Sequence, residues 1–109
     1  MAPDPRSYHC AEIIDHYLVV FGGEFIEDLA DTWIFDFNTN LWQEINNKPN
    51  KLLPKASKFH SSFVYKNKFY VLGGCIKQCV NIEQVIYLDF NKFLLFHNEE
   101  DLNWSSADF

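Results

Sequence analysis

Two stretches of the chain carry unbroken apolar residues where a half-exposed strand would alternate apolar with polar positions. Residues 17–21 read Tyr-Leu-Val-Val-Phe, and residues 69–72 read Phe-Tyr-Val-Leu. A short apolar run rich in aromatic and β-branched side chains predicts a strand that is covered on both faces of its sheet. A pair of glycines follows each run, which indicates a turn at positive φ or the close approach of another backbone. The pattern therefore predicts two buried central strands, each in a sheet that lies between similar sheets.

The surroundings of the two runs repeat along the chain. His9 precedes His60 by about 51 residues, and Asp36 precedes Asp89 by about 53 residues. The second copy therefore holds additional residues between its glycines and its next strand, where a loop accommodates an insertion. A repeat of about 50 residues indicates one supersecondary unit per copy, and this length is typical of a propeller blade.

Each copy predicts four short strands separated by polar turns, and neither copy shows an amphipathic helix. The strands are expected over 8–14, 17–22, 32–37 and 41–45 in the first copy, and over 59–65, 69–73, 84–90 and 94–97 in the second. The expected fold is all-β, with two four-stranded antiparallel sheets stacked as the blades of a partial β-propeller. The expected organisation is a first repeat over 3–45, a proline-containing linker over 46–55, a second repeat over 56–98 and a polar tail over 99–109.

At these residues the sequence resembles the kelch repeat family. The family pattern is an apolar run, a Gly-Gly pair, a separated aromatic residue and a tryptophan about seven residues later, and Phe35 and Trp42 have this spacing. The second copy departs from the pattern at Leu88, Leu95 and Ser57, which replace the aromatic residue, the tryptophan and a preceding arginine. The positions that match the motif in either copy are Arg6, His9, Gly22, Gly23, Phe35, Asp36, Trp42, His60, Gly73, Gly74 and Asp89.

The resemblance covers about residues 3–97 and implies a non-catalytic kelch-type module that presents loops to another protein. Kelch propellers serve as substrate receptors of cullin-type ubiquitin ligases, as actin-associated proteins and as scaffolds, and the sequence selects none of these roles. The alternative is a propeller enzyme or a small-ligand-binding protein, as some kelch propellers are. A site of that kind needs residues from several blades around a central channel.

The number of blades raises a question of completeness. A closed propeller has about 4–8 blades, and this sequence supplies two. Each blade of such a pair leaves one apolar sheet face uncovered, which favours association. Three arrangements remain open: the chain is a segment of a longer protein, several chains assemble into one ring, or the two blades stand alone.

Antiparallel strand order places the loops over 24–30, 46–55 and 75–83 on one rim of the blades. The first of these loops is acidic with an apolar centre, and its residues are Glu24, Phe25, Ile26, Glu27 and Asp28. Loops on a rigid scaffold commonly carry binding sites. The composition therefore indicates either a contact patch for a basic or aromatic segment of a partner protein or an ordinary solvated loop.

The cysteines and the composition point away from several other classes of function. Cys75 and Cys79 lie on the same rim, but zinc takes about four nitrogen or sulfur ligands and no histidine lies at a suitable spacing. A net charge of −6 argues against binding to nucleic acid or to anionic lipid. Three cysteines without a recognisable signal peptide predict reduced thiols and a cytoplasmic or nuclear location.

The histidines and the repeated aspartates are interpreted as structural. His9 and His60 occupy equivalent positions, which favours a hydrogen bond to a neighbouring backbone over catalysis. Asp36 and Asp89 lie on different blades, and each is expected to cap the turn that follows it. The remaining histidines, His16 and His97, are interpreted as turn and edge residues. The sequence therefore predicts no catalytic, metal-binding or cofactor-binding residue and no cofactor.

Overall fold

The computed structural model describes residues 2–45, 61–73, 75–76, 80–81 and 85–106. The strands form two four-stranded antiparallel sheets, named blade 1 and blade 2 below, and a two-stranded ribbon. Blade 1 consists, in order across the sheet, of β1 (Cys10–Ile14), β2 (Tyr17–Phe25), β3 (Glu27–Asp36) and β4 (Leu41–Glu44). Blade 2 has the order β5 (Ser61–Tyr65), β6 (Lys68–Leu72), β9 (Val85–Asp89) and β10 (Trp104–Ser106), while β7 (Cys75–Ile76) pairs with β8 (Val80–Asn81). Helix α1 (Asn91–Phe96) and a 3-10 helix (Glu99–Asp101) lie between β9 and β10. The predicted all-β class with two four-stranded antiparallel sheets is confirmed.

The predicted loop over 24–30 is instead the end of a long β-hairpin. Strand β2 continues to Phe25, and β3 begins at Glu27. The register between them shifts between Phe21 and Gly23, and pairing then resumes with Gly23 opposite Leu29. The glycine pair therefore lies at a β-bulge rather than at a strand end. Ala30 and Asp31 of β3 lie opposite Gly22 alone, and both glycines have a positive φ.

The predicted fourth strand of the second copy, over 94–97, is wrong, as is the expectation of no helix. Residues 91–96 form α1, whose Phe93 is buried and packs edge-on against Phe90 with ring centroids 5.8 Å apart. The fourth strand is β10, in which Trp104 lies opposite Leu88. This strand falls within the residues predicted to be a polar tail, because Trp104 and Leu102 supply apolar surface that the sheet buries.

The hydrophobic core lies between the two blades. Phe21 and Trp104 meet across it with ring centroids 5.1 Å apart, and Trp104 also contacts Phe69 at 6.1 Å. The buried residues that form this core from both blades are Cys10, Ile14, Tyr17, Val19, Phe21, Ile34, Ile45, Phe69, Val71, Ile86, Leu88, Phe90, Phe93, Leu102 and Trp104. Each blade therefore buries one face against the other, as expected for apolar sheets that are unstable alone.

The two blades use opposite faces for this contact. Phe69 and Val71 of β6 correspond to Leu18 and Val20 of β2 under the repeat of about 51 residues. In blade 1, the positions of β2 that lie between these two, such as Val19, face the core instead. Contact between opposite faces of equivalent units is the arrangement of successive units around a ring. It agrees with two consecutive propeller blades.

The blade pair has two distinct ends. The turns at Asp15–His16, 37–40 and Lys66–Asn67 lie at one, named the turn end, because Tyr17 and Lys68 pair with Asp36 and Asp89. The β2–β3 hairpin projects at the opposite end, named the hairpin end.

Candidate functional site

A partly buried ion pair anchors the segment before β1 to the hairpin end. The Arg6 side chain is 4% exposed and donates to both carboxylate oxygens of Asp31, at 2.6 and 2.9 Å. Arg6 also donates to the carbonyl oxygen of Gly22 at 3.1 Å, while the Trp33 indole donates to Asp31 at 2.8 Å. Burial raises the pKa of Asp31, but these hydrogen bonds and the charge of Arg6 outweigh it and hold the pKa below its ordinary value. The carboxylate therefore stays ionised and fixes the base of the hairpin.

Close backbone contact at Gly23 completes this anchor. Ser7 and Glu24 exchange backbone hydrogen bonds of 3.1 and 2.8 Å, which lays the segment before β1 against β2. A Cβ atom at Gly23 would lie 2.6 Å from the Ser7 carbonyl oxygen and 3.0 Å from Cβ of His9. Because Gly23 also has a φ of 100°, this position requires glycine for two reasons.

Two exposed apolar side chains lie at the tip of the hairpin, which projects from the blade. Ile26 is 93% exposed, and its backbone has a φ of 69°. Phe25 is exposed as well and pairs with Glu27 across the turn. The predicted patch from Glu24 to Asp28 is therefore a hairpin tip at the hairpin end. The side chains of Glu27 and Asp28 lie outside what the structure describes.

A cleft of about 500 Å³ opens at the turn end, where blade 1 meets α1. Its polar groups come from His16, Tyr17, Asp36 and His97, and its apolar wall includes Trp42, Leu41, Ile34 and Phe93. The Tyr17 hydroxyl and His97 Nδ1 are 3.2 Å apart, and the His16 and His97 rings are 6.3 Å apart. Burial, together with the charges of Asp36 and Asp15, raises the pKa of Tyr17, so its phenol remains protonated.

The repeated aspartates each accept a hydrogen bond at the turn end. Asp36 Oδ1 accepts from the backbone N–H of Asn38 at 2.8 Å, and Asp89 Oδ1 accepts from that of Asn91 at 2.9 Å. This is the geometry of an Asx turn in both blades. Asp36 also faces the cleft, whereas Asp89 lines a separate depression of about 260 Å³ beside Lys92.

A family comparison matches this architecture. The family model described as the KLHDC2/KLHL20/DRC7 Kelch-repeats domain matches residues 1–107. The chain belongs to the kelch-repeat family. Such domains are typical of protein–protein interaction.

Curated relatives of this kelch-repeat chain are much longer proteins. The leucine-zipper-like transcriptional regulator 1 homolog of Drosophila melanogaster is 29% identical over 94 residues, which cover 84% of this chain and 10% of that protein. Host cell factor 2 of Homo sapiens is 32% identical over 70% of the chain and 10% of its own length. An F-box/kelch-repeat protein of Arabidopsis thaliana is 35% identical over 63% of the chain and 17% of its own length. The chain thus spans between a tenth and about a sixth of these relatives.

The kelch motif pairs an aromatic side chain with a tryptophan across two strands. In blade 1, Phe35 lies opposite Trp42 with ring centroids 5.0 Å apart. In blade 2, the equivalent position, Leu88, lies opposite Trp104 rather than the expected Leu95. Because α1 is inserted between Leu88 and this tryptophan, the two lie farther apart along the chain than in the family pattern. The fixed interval of that pattern therefore does not identify Trp104. His60, Gly74, Cys79 and the linker over 46–55 lie outside the described residues.

The sequence pattern does not indicate the cleft. From the sequence, His16 and His97 are interpreted as turn and edge residues, whereas α1 brings them together by burying Phe93 against Tyr17, with ring centroids 5.1 Å apart. The signal was present in the apolar residues Phe90 and Phe93, whose spacing of three is helical rather than extended. An expected turn at residues 91–93 obscured it.

Other chemistry is limited in the part of the chain that the structure describes. That part contains no cluster of three or more His, Cys, Asp or Glu residues able to hold a metal ion. It also contains no helix long and apolar enough to cross a membrane. Burial raises the pKa of the Cys10 thiol to about 11, so this cysteine is protonated and unreactive at neutral pH.

Proposed function

We propose that this kelch-repeat chain is a non-catalytic module that binds a partner protein through the hairpin end. The contact residues are those of the hairpin tip, Glu24, Phe25, Ile26, Glu27 and Asp28. A cytoplasmic or nuclear location stays a prediction. The partner segment is basic or aromatic, because the tip combines three acidic residues with two apolar ones.

The observation that carries this proposal is the conformation of Ile26. A β-branched residue at a φ of 69° is strained, and this one also exposes 93% of its surface to water. Folding stability alone would favour glycine or asparagine at this position. A strained, exposed isoleucine on a rigidly anchored hairpin is accounted for by contact with another molecule.

Asp31 does not contribute to the acidic character of the tip. Its charge is balanced by Arg6, which donates two hydrogen bonds to it at the base of the hairpin. The pair instead holds the hairpin in place, so the tip is presented without the entropy loss of ordering a flexible loop. This separates the anchoring residues from the proposed contact residues.

Substitution of the tip tests this proposal. Partner proteins retained by the wild-type chain should be lost with Ile26→Asp and retained with Leu95→Asp, which places the same charge on an exposed leucine of α1. Ile26→Gly should also lose them while raising stability by about 1 kcal/mol, because it relieves the backbone strain. The measurement is quantitative cross-linking mass spectrometry, paired with urea unfolding. Partners that bind the wild type and Ile26→Asp equally would place the contact elsewhere.

A second candidate is assembly of the blade pair into a larger propeller, as an oligomer or within a longer chain. The observation that favours it is a row of aromatic rings on the outer face of blade 2. Phe63 stacks on Tyr70 at 4.7 Å, and Tyr70 meets Tyr87 at 5.4 Å. Only a complete ring would provide the central channel that a kelch enzyme or small-ligand-binding protein requires.

A further inference from the structure

The outer face of blade 1 carries a row of apolar side chains that crosses all four strands. The strand register places these residues directly opposite one another, so their side chains share one face of the sheet. This outer row consists of Ile13, Leu18, Phe35 and Trp42. Ile13 is 64% exposed, and the other three are half-buried. Apolar side chains that adjoin one another at the surface favour contact with another apolar surface.

Blade 2 carries an equivalent row, and there it is covered. The repeat of about 51–53 residues relates the first three residues of the outer row to three residues of blade 2, and a tryptophan completes both rows. This covered row consists of Val64, Phe69, Leu88 and Trp104, which also lie opposite one another. Phe69 and Leu88 are fully buried, and the whole row packs into the core that blade 1 shares. One of two equivalent rows is therefore buried by a blade, and the other faces outward.

The turn after β3 extends the likeness of the two faces by one more ring. Phe37 corresponds to Phe90 under the step of about 53 residues. Phe90 is fully buried in the core, whereas Phe37 is 48% exposed and lies edge-on to Phe35 with ring centroids 5.3 Å apart. Exposure of a phenylalanine to water leaves the free energy of its burial unused. Blade 1 thus stays apolar at positions that blade 2 uses for contact with a blade.

The outer face of blade 2 is the surface that matches the outer row. In the observed contact, the covered row packs into a core to which blade 1 contributes Val19 and Ile34. The residues of blade 2 at these two positions are Tyr70 and Tyr87, which alternate with its buried residues and so face outward. Their rings lie 5.4 Å apart, and Phe63 stacks on Tyr70 at 4.7 Å. One chain therefore carries both halves of a contact of the kind already present between its blades.

We propose that the outer row of one chain docks on the outer face of blade 2 of a second copy, with Trp42 as its anchor. In the core, the equivalent Trp104 lies 5.1 Å from Phe21 between ring centroids. Leu72 corresponds to Phe21, so Leu72 of the second copy receives Trp42. This inference rests on the second candidate function, assembly into a larger propeller, and names the partner and the contact faces. Because the contact joins two different faces, it repeats from copy to copy, and a ring of about 4–8 blades contains about two to four copies.

Two variants, each with one altered face, test the proposal by complementation. Ile13→Glu places a charge in the outer row, and Phe63→Glu places one on the outer face of blade 2. Both side chains are exposed, so the fold should be retained. By analytical ultracentrifugation, each variant alone should associate at least about tenfold more weakly than the wild type. An equimolar mixture should form a 1:1 dimer of about twice 12.9 kDa, because each variant supplies the face that the other lacks.

The controls separate this contact from the other proposals. Leu95→Glu, at a position of α1 that is 73% exposed, should associate like the wild type. Ile26→Asp should also do so, which makes failure of the hairpin proposal distinguishable from failure of this one. A wild-type chain that stays at 12.9 kDa at every concentration overturns the proposal, together with assembly as an oligomer. A mixture that stays monomeric while the wild type associates overturns this contact alone and leaves assembly through another surface.

The indole N–H resonances of tryptophan show whether the outer row itself enters the contact. Unlabelled Ile13→Glu, added to isotope-labelled Phe63→Glu, should shift the resonance of Trp42, because this chain docks through its intact outer row. The resonance of Trp104 should stay in place, since that side chain already lies in the core. A dimer in which Trp42 does not shift would place the contact elsewhere and overturn the proposal.

Discussion

At the scale of single residues, two neighbouring glycines have unequal roles. Gly22 has a φ of 67°, a left-handed conformation that alanine can adopt at a cost of about 1–2 kcal/mol. Gly23 has a φ of 100° and would bring a Cβ atom within 2.6 Å of the Ser7 carbonyl oxygen. Because that oxygen accepts from the backbone N–H of Glu24, it cannot move away without loss of the anchor.

Gly23→Ala should therefore destabilise the fold by at least about 2 kcal/mol more than Gly22→Ala. Urea unfolding followed by tryptophan fluorescence measures the difference. The two variants carry the same side chain at adjacent positions, so helix or strand propensity cancels between them. Equal destabilisation would show that the Ser7 segment does not pack against Gly23.

The Arg6–Asp31 pair predicts a dependence of stability on pH. The lowered pKa of Asp31 means that its stabilisation is present above the unfolded value of 3.8 and is lost as the pH falls through the lower folded value. Asp31→Asn should cost about 2 kcal/mol at pH 7, and its difference from the wild type should shrink below a pH of about 4. Thermal unfolding across this range measures it. A difference independent of pH would mean that the pair is not ionic.

At the scale of elements, the second blade shows how an insertion changes a repeat without changing its sheet. Leu88 and Phe35 occupy equivalent positions, and each lies opposite a tryptophan on the outermost strand. Because helix α1 is inserted before the last strand of blade 2, the tryptophan of that blade comes later in the chain, at Trp104. The two copies share this cross-strand pair, which lies in the core in blade 2 and on the outer face in blade 1.

Truncation of the two residues that compete for the tryptophan position tests this assignment. Trp104 is 4% exposed and Leu95 is 73% exposed. Trp104→Ala should cost about 3–5 kcal/mol, as a large buried aromatic does, and Leu95→Ala less than about 0.5 kcal/mol. Chemical denaturation of both variants measures these costs. A larger loss from Leu95→Ala would restore the strand over 94–97 that sequence analysis expected.

At the scale of the whole molecule, the contact between the blades predicts what fits their outer faces. Blade 2 presents Tyr70 and Tyr87 outward, and Tyr70 corresponds to Val19, which blade 1 buries in the shared core. The outer face of blade 2 is thus equivalent to a face that already binds a blade. Repetition of the same contact continues the arrangement into a ring or an open array.

The chain should therefore associate head to tail in solution, with a mass above 12.9 kDa that rises with concentration. Light scattering behind a sizing column measures this mass. Phe63→Glu, on the outer face of blade 2, should lower it toward 12.9 kDa, whereas Leu95→Glu, on α1, should not. A constant mass of 12.9 kDa for the wild type would show that the outer faces do not bind copies of this chain.

The sequence by itself determined the features that depend on local pattern. The unbroken apolar runs, the glycine pairs and the period of about 51 residues predicted the two four-stranded blades and the kelch family, and both are confirmed. These signals survive because each central strand is paired on both edges and buries at least the face that meets the other blade, although β6 of blade 2 leaves its other face half-buried. Gly23 was also found from the repeat pattern, and Arg6 from the resemblance to the kelch family, although their contacts were not.

Only the tertiary structure decided the features that depend on distant residues. The fourth strand of blade 2 is β10 because Trp104 buries against Phe21 of the other blade, a contact that no local window contains. The cleft arises in the same way, since His16 and His97 meet through packing between Tyr17 and Phe93. The periodicity of the sequence indicates which residues are buried. Which residues they pack against is decided only when the two blades come together.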